Sequence, residues 1–286
     1  MYFQKHNPNP LLSDFIDCYF TIDTRLLNAS IEDLIIPDGT FGLIFTDDNN
    51  ALSRTLSTSS SFLPLKRTSI FGQKTHAVHY TMNPSNSIIF GLKVKPSGIS
   101  LFTEETSFIK NIFEDIDTLN ISDLKDIESQ ILEAITVQEK IKIIERYMME
   151  KLERIDCSFD LELFQLMTNF IFLYKGNIRL DVLIEHFNTN YKKVERLFNK
   201  YVGMSPKSYL RIIRINACVD VHKFNDTLNL TALAIDNGFF DQSHLTKEFK
   251  RVTSLTPRQF FAKERSFSEV ENLNIIHNRW QNRLAV

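Results

Sequence analysis

Residues 230–250 read LTALAIDNGFFDQSHLTKEFK, and residues 180–198 read LDVLIEHFNTNYKKVERLF. Each is a short apolar run, a tight break, and a second run with apolar residues four apart. These are Val194 and Phe198 in one stretch, Leu245 and Phe249 in the other. Residues four apart share a helix face, so each second run reads as a helix that buries one side and shows polar and basic groups on the other. Gly238 falls in the second break, where a left-handed backbone costs glycine least. Two short helices around such a break form a helix-turn-helix unit, whose second helix has the shape to enter a major groove. Arg196 lies one helical turn beyond Lys192, and Lys247 one turn beyond Ser243. Each pair therefore shares a face from which a long cation reaches guanine edges or phosphates.

Working outward, the flanking segments carry helix-start signals. Ser205-Pro206 offers an N-cap followed by proline at the first helical position. Thr256-Pro257-Arg258-Gln259 does the same and adds the glutamine of a capping box. Asn229 and Asp241 are further N-cap candidates. Pro206 to about Lys223 reads as one helix with Tyr209, Leu210, Ile213, Ala217 and Val221 apolar. A rigid helix there fixes the separation of the two units, and successive major grooves on one side of B-DNA lie ~34 Å apart.

The stretch from about Phe159 to Lys263 resembles the DNA-binding module of the AraC family of bacterial transcription regulators. The second unit carries most of the resemblance: Leu233-Ala234, Gly238-Phe239, Asp241 to Leu245, Lys247, Phe249 to Arg251 and Thr256-Pro257. The first adds Leu197-Phe198, Gly203 to Pro206, Tyr209-Leu210 and Arg211 to Arg214. The resemblance implies recognition positions at Lys192, Glu195 and Arg196 in the first unit, and at Gln242, Ser243, His244 and Lys247 in the second. Phosphate contacts through backbone N–H groups are expected near Asn190 and Asp241. His244 is open between base contact and packing at the cap. Glu195 is open between accepting from a cytosine amino group and steering a neighbouring arginine. Phe198, Phe249, Leu197, Leu233 and Gly238 read as core and turn. The chain departs from the family pattern at Asn188 and Ser254, where glycine is usual, and at Phe261, where an arginine commonly follows the last aromatic. The implied partner is double-stranded DNA. RNA polymerase, a second copy of the chain, and a small-molecule or protein effector are further candidates, with no cofactor and no membrane.

From Met1 to about Lys110 the apolar residues come in short runs, such as Phe41 to Phe45, Ser69 to Phe71 and Ile88 to Val94. Breaks fall at Pro37-Asp38-Gly39, at Asp47 to Asn50 and at Asn83 to Asn86. Runs of this length and spacing read as strands of a small barrel or sandwich. Leu11 to Tyr19 reads instead as a helix, with Leu11, Leu12, Phe15, Ile16 and Tyr19 on one face. The Phe-rich strands read as plain core, with an apolar pocket as the alternative. Pro37-Asp38-Gly39, Gly72-Gln73-Lys74-Thr75 and Phe90 to Gly98 resemble a sensor-like domain that precedes the module in many regulators of this type. Between the two halves the period turns helical, with stripes Leu124, Ile127, Ile131, Ile135 and Ile141, Ile144, Met148, Leu152 and a break near Thr136 to Gln138. The expected fold is α+β. It comprises a β-rich sensor-like or dimerisation domain over 1–118 with flanking helices, a helical connector over 119–157, an all-α DNA-binding domain over 158–265 and a tail over 266–286.

Charge follows the same division. From Gln165 to Arg265 there are 16 Lys+Arg against 9 Asp+Glu, a net of +7, whereas the rest carries 17 against 26. A basic module on an acidic body suits a polyanionic partner for that module alone. Cys18, Cys157 and Cys218 lie too far apart in sequence for a metal-ligand pair or a disulfide framework, and fit a reducing cytoplasm. Met1-Tyr2-Phe3-Gln4 lacks a basic-then-apolar signal, and no apolar run reaches the ~20 residues that span a bilayer. His76-x-x-His79 is a close histidine pair, but in a strand the two face opposite ways, so no metal site is expected. No nucleophile elbow, phosphate loop or dinucleotide fingerprint occurs, so no catalytic residues are assigned. The alternative to a regulator is a DNA-tethered enzyme, such as an alkyl-transfer repair protein carrying an AraC-type module. That requires an activated cysteine, and the acidic, helix-like setting read for Cys18 (Asp14, Asp17, Asp23) opposes it.

Overall fold

Among the described residues, the short apolar runs of the N-terminal half form ten strands, which join into two sheets. The computed structural model describes residues 3–55, 62–64, 67–102, 113–115, 122–154, 159–222 and 229–267. The strands are β1 (Phe3–His6), β2 (Ile16–Asp23), β3 (Ile31–Ile35), β4 (Phe41–Phe45), β5 (Leu52–Thr55), β6 (Phe62–Pro64), β7 (Thr68–Phe71), β8 (Val78–Met82), β9 (Ile88–Val94) and β10 (Phe113–Asp115). One antiparallel sheet runs β1-β2-β9-β4-β7-β10 and the other β3-β8-β5-β6. Every residue of β4 is buried, because that strand has both faces covered. Phe41, Leu43 and Phe45 join the core on one side, whereas Ile44 joins Leu52, Tyr80, Met82 and Ile89 between the sheets. Two-sided burial is why these strands read as continuous apolar runs.

The expected helix from Leu11 to Tyr19 does not form. Pro10–Leu12 is a single 3-10 turn capped by Asn9, and the chain then enters β2, which pairs with β1 on one side and β9 on the other. A bulge between Ile16 and Cys18 breaks the period of two. Buried residues then fall at Phe15, Ile16, Cys18, Tyr19 and Ile22, a spacing that mimics a helix stripe. Cys18 therefore sits in a central strand, 1% exposed, not on an acidic helix.

Helices α1 (Ser122–Glu133) and α2 (Val137–Arg154) flank a break at Ala134 to Thr136. Thr136 and Glu139 form a capping box that starts α2: Glu139 N donates to Thr136 Oγ1 (3.2 Å) and Thr136 N to Glu139 Oε2 (3.0 Å). Leu124, Ile127 and Ile131 are buried as the stripe requires, but Ile135 is 93% exposed. The stripe ends one residue early because the capping box turns the chain outward there. Both helices lie on the sheet, tied by Thr68 Oγ1 donating to Glu128 Oε1 (2.7 Å) and Asn9 N donating to Glu145 Oε1 (2.7 Å).

The C-terminal helices are α3 (Phe159–Leu173), α4 (Leu180–His186), α5 (Tyr191–Val202), α6 (Pro206–His222), α7 (Leu230–Asp236), α8 (Gln242–Thr253) and α9 (Pro257–Phe267). The core on the outer face of the large sheet runs through α1 and α2 into Phe164, Phe198 and Tyr209 of the first unit. The second unit has a core of its own, in which Leu233, Leu245, Phe249 and Phe260 pack with Val219 of α6 and with Ile36 from the β3–β4 loop. Among the described residues no helix is long and apolar enough to cross a membrane.

Candidate nucleic-acid interface

Each unit is built from the same local devices. In the first, α4 and α5 meet at a turn where Asn188 takes φ +44° and Asn190 caps α5, its Oδ1 accepting from Lys193 N (3.0 Å). In the second, α7 and α8 meet at Gly238, with φ +71°, and Asp241 caps α8 by accepting from His244 N (2.7 Å). A Cβ on Gly238 would meet only the exposed Asn177 side chain, which can swing aside, so it is the left-handed backbone that calls for glycine at this turn. Asn229 caps α7, accepting from Thr231 N and Ala232 N. Ser205 caps α6, and Thr256 with Gln259 forms the expected capping box of α9.

Behind each second helix lies an aromatic cluster. Phe164 packs on Phe198 (5.3 Å between ring centroids) and Tyr201 (4.8 Å), and Phe198 on Tyr209 (5.4 Å). In the second unit Phe249 packs edge-on against Phe260 (5.4 Å) and Phe261 (5.5 Å). Burying one such side chain contributes about 1.5–3 kcal/mol, so these rings hold α5 and α8 firmly and orient their opposite faces. On those faces Lys192, Arg196, Ser243 and Lys247 are exposed. Gln242 is half-buried, its Oε1 3.5 Å from Thr231 Oγ1.

The other expected contacts are more constrained. Arg196 Nη2 is 2.6 Å from Asp160 Oδ2 and Lys193 Nζ is 3.2 Å from Asp160 Oδ1, so one α3 carboxylate holds two cations of α5. The hydrogen bond from Arg196 keeps the Asp160 carboxyl below its ordinary range. Glu195 does not steer Arg196; it receives a long contact from Tyr191 Oη (3.4 Å). His244 packs edge-on against Phe239 (5.4 Å) while its Nδ1 accepts from Phe240 N (3.3 Å), which is the cap-packing arrangement. Asn190 and Asp241 use their side chains on the N–H groups of Lys193 and His244. Other N–H groups of those first turns face the helix ends.

Three features escape sequence reading. Asp160 pairs with residues more than thirty positions away. Phe240, 86% exposed beside the start of α8, is visible in sequence only as an aromatic at a turn. Arg214 of α6 is the third: its Nε and Nη2 donate to Gly176 O (3.1 and 2.9 Å), its Nη1 approaches Gly238 O (3.4 Å), and its guanidinium lies 5.4 Å from the Phe239 ring centre. Gly176 ends the turn before α4, and Gly238 is the turn of the second unit. One side chain of the linking helix thus grips both units. Burial lowers the Arg214 pKa by withdrawing water from the cation.

Residues 183–263, which span both units, match the family described as a helix-turn-helix domain. The chain carries an AraC-type helix-turn-helix module. Residues 4–108, the two sheets, match a domain of unknown function, DUF6597. No curated protein sequence matches the chain. Among solved structures it is similar to ToxT from Vibrio cholerae in its P21 crystal form, with 11% identity and a TM-score of 0.42 over 82% of this chain and 98% of that one. ToxT from strain O395 aligns at 13% identity and a TM-score of 0.42 over 85% of this chain and 97% of that one. Similarity at that level leaves the assignment to the helix-turn-helix match.

The AraC-type module also accounts for its own departures from the family pattern. Asn188 and Ser254 both take positive φ (+44° and +63°), the conformation that glycine ordinarily supplies. Phe261 is 3% exposed and completes the aromatic core of the second unit, so an apolar contact stands there instead of a cation. Among the described residues no three His, Cys, Asp or Glu side chains cluster as a metal site. His76 lies in the bend before β8 and His79 within it, both exposed.

Proposed function

We propose that the chain is a sequence-specific transcription regulator that seats α5 and α8 in successive major grooves, with the two sheets forming an effector-sensing domain. Lys192, Arg196, Ser243 and Lys247 face the DNA, with Glu195 and Gln242 at the edges of the same faces. His244 orders the start of α8, and the helix starts at Asn190 and Asp241 approach phosphates through free backbone N–H groups. The protein acts in the cytoplasm on double-stranded DNA, with RNA polymerase or a second copy of the chain as further candidate partners. The observation that carries this reading is the Arg214 grip, because two units held at one spacing can engage adjacent grooves without a second subunit.

Footprinting the full chain on the DNA upstream of its own gene tests this. The expected result is two protected patches about one helical turn apart on one face of the duplex, with affinity falling steeply as salt rises. A flat salt response sinks the nucleic-acid assignment. Arg196→Ala is expected to cost about 1–3 kcal/mol and relax one base preference if Arg196 reads a base edge, or to weaken all sequences equally if it meets a phosphate. The alkyl-transfer alternative lacks an accessible thiol at both described cysteines. Cys18 is 1% exposed, and burial pushes the Cys218 thiol up to about 12. Cys157 lies outside the described residues.

A further inference from the structure

Phe240 stands two residues before α8, and 86% of its surface is exposed. Its neighbour Phe239 is turned inward, packed edge-on against His244 with the Arg214 guanidinium over its ring. The backbone at Phe240 is held all the same. Its N–H donates to His244 Nδ1 (3.3 Å), and His244 N donates in turn to Asp241 Oδ1 (2.7 Å). An ordered segment therefore presents an aromatic ring to water and forgoes the burial that stabilises most such side chains.

Two structural roles are open to an aromatic at this position, and Phe240 takes neither. The residue before an N-cap commonly packs on the fourth residue of its helix as a hydrophobic staple. The fourth residue of α8 is Leu245, which is wholly buried in the core of the second unit while Phe240 stays outside it. The aromatic cluster behind α8 is made by Phe249, Phe260 and Phe261, with no part for Phe240. In the first unit the equivalent position, before the Asn190 cap, holds the half-buried Thr189, so the exposed ring is particular to the second unit.

We propose that Phe240 is a specificity-determining residue that covers the C5 methyl group of a thymine in the major groove entered by α8. The proposal rests on the regulator reading above and adds to it one base preference. In a helix-turn-helix the N-terminal residues of the second helix are the ones that reach base edges, and Phe240 lies at that end of α8, beside Gln242 and Ser243. A phenyl ring carries no charge for a phosphate and no donor or acceptor for a polar base edge. Cytosine offers the groove an amino donor and the purines offer N7 acceptors, whereas thymine offers an apolar methyl group that a phenylalanine can cover. Contact removes water from both apolar surfaces, which supplies the driving force.

The test uses the full chain and duplexes of the footprinted DNA in which thymines are replaced one at a time by deoxyuridine, which removes the methyl group and keeps the pairing. At one position, within one of the two protected patches, deoxyuridine is expected to weaken binding about fourfold, the scale of burying one methyl group. Phe240→Ala should bind the unmodified duplex at least that much more weakly and show no discrimination at that position, while keeping the wild-type response at every other. Phe240→Leu, which retains apolar surface, should keep part of the discrimination. Because the ring is exposed, both variants should unfold at the wild-type urea midpoint, so that a loss of binding is not a loss of folding.

A footprint in which no thymine depends on Phe240 overturns the assignment. So does a Phe240→Ala protein weakened equally on every duplex, which would place the ring against the sugar-phosphate backbone. Unchanged DNA affinity with a loss only of transcription by RNA polymerase overturns it as well, because the ring would then meet a protein. These outcomes leave the regulator reading intact. A wild-type chain that shows no salt-dependent DNA binding overturns that reading, and the Phe240 assignment with it.

Discussion

Replacing Arg214 by methionine removes every donor of the grip while keeping most of the apolar stem. The two bonds to Gly176 O share one buried acceptor and together count as one charge-assisted interaction, worth about 1.5–3 kcal/mol. The 3.4 Å approach to Gly238 O adds little, and the cation over Phe239 adds about 0.5–1 kcal/mol at a half-exposed site. Against these stands the desolvation that lowers the Arg214 pKa, together with screening by the solvent that still reaches it. The expected net loss is about 1–3 kcal/mol, read as a lower urea midpoint with an unchanged slope. DNA binding should show a second effect that stability alone does not produce. A duplex carrying both protected patches should lose affinity well beyond a duplex carrying one, because the second unit becomes loosely held rather than preplaced. Arg214→Lys should recover only part, since a point charge cannot reproduce the fork. An Arg214→Met protein with the wild-type urea midpoint and wild-type affinity for the two-patch duplex refutes the grip.

Asp160→Asn frees Arg196 and Lys193 from their shared carboxylate. Affinity for DNA should rise several-fold and the salt slope should steepen by about one phosphate contact, measured by titrations at several salt concentrations; an unchanged slope means those cations do not reach DNA. The pH response has the matching sign. Asp160 has a depressed folded-state pKa, so its stabilising pairing is present above the ordinary carboxylate range and lost as pH falls through the lowered value. Ser254→Gly relieves a left-handed C-cap at a cost in unfolded-chain entropy, for an expected net stabilisation of about 0.5 kcal/mol by urea unfolding. Cys18 and Cys218 should resist maleimide until the chain is unfolded, checked by mass spectrometry of the labelled peptides; rapid labelling of native Cys18 would reopen the alkyl-transfer alternative.

The helix-turn-helix units were legible in residues because almost everything that shapes them is local. N-caps at Asn229 and Asp241, the Thr256–Gln259 box, the glycine turn at Gly238 and the four-residue spacing of Leu245 and Phe249 all act within one or two helical turns. Even the departures at Asn188 and Ser254 pointed to the positions where backbone geometry matters most. The misread segment, Leu11 to Tyr19, failed because a central strand with a bulge buries residues at helix-like spacing, and only its neighbours β1 and β9 distinguish the two. Ile135 failed for a related reason: a stripe continues on paper past the point where a capping box ends it.

By itself, the sequence determined the elements of the DNA-binding half and which faces of α5 and α8 are apolar. It also determined that a basic module stands on an acidic body. Tertiary structure decided which cations are committed and to what. Asp160 holds Arg196, Arg214 reaches Gly176 and Gly238, and Pro37 to Gly39 lies on α6 although 179 positions separate Pro37 from Asn216. Caps and periodicities are set by neighbours along the chain, whereas the pairing of buried polar groups depends on which distant segments the collapsed core brings together. The joining of the two helix-turn-helix units to each other and to the sheets therefore lies in contacts that no local pattern encodes.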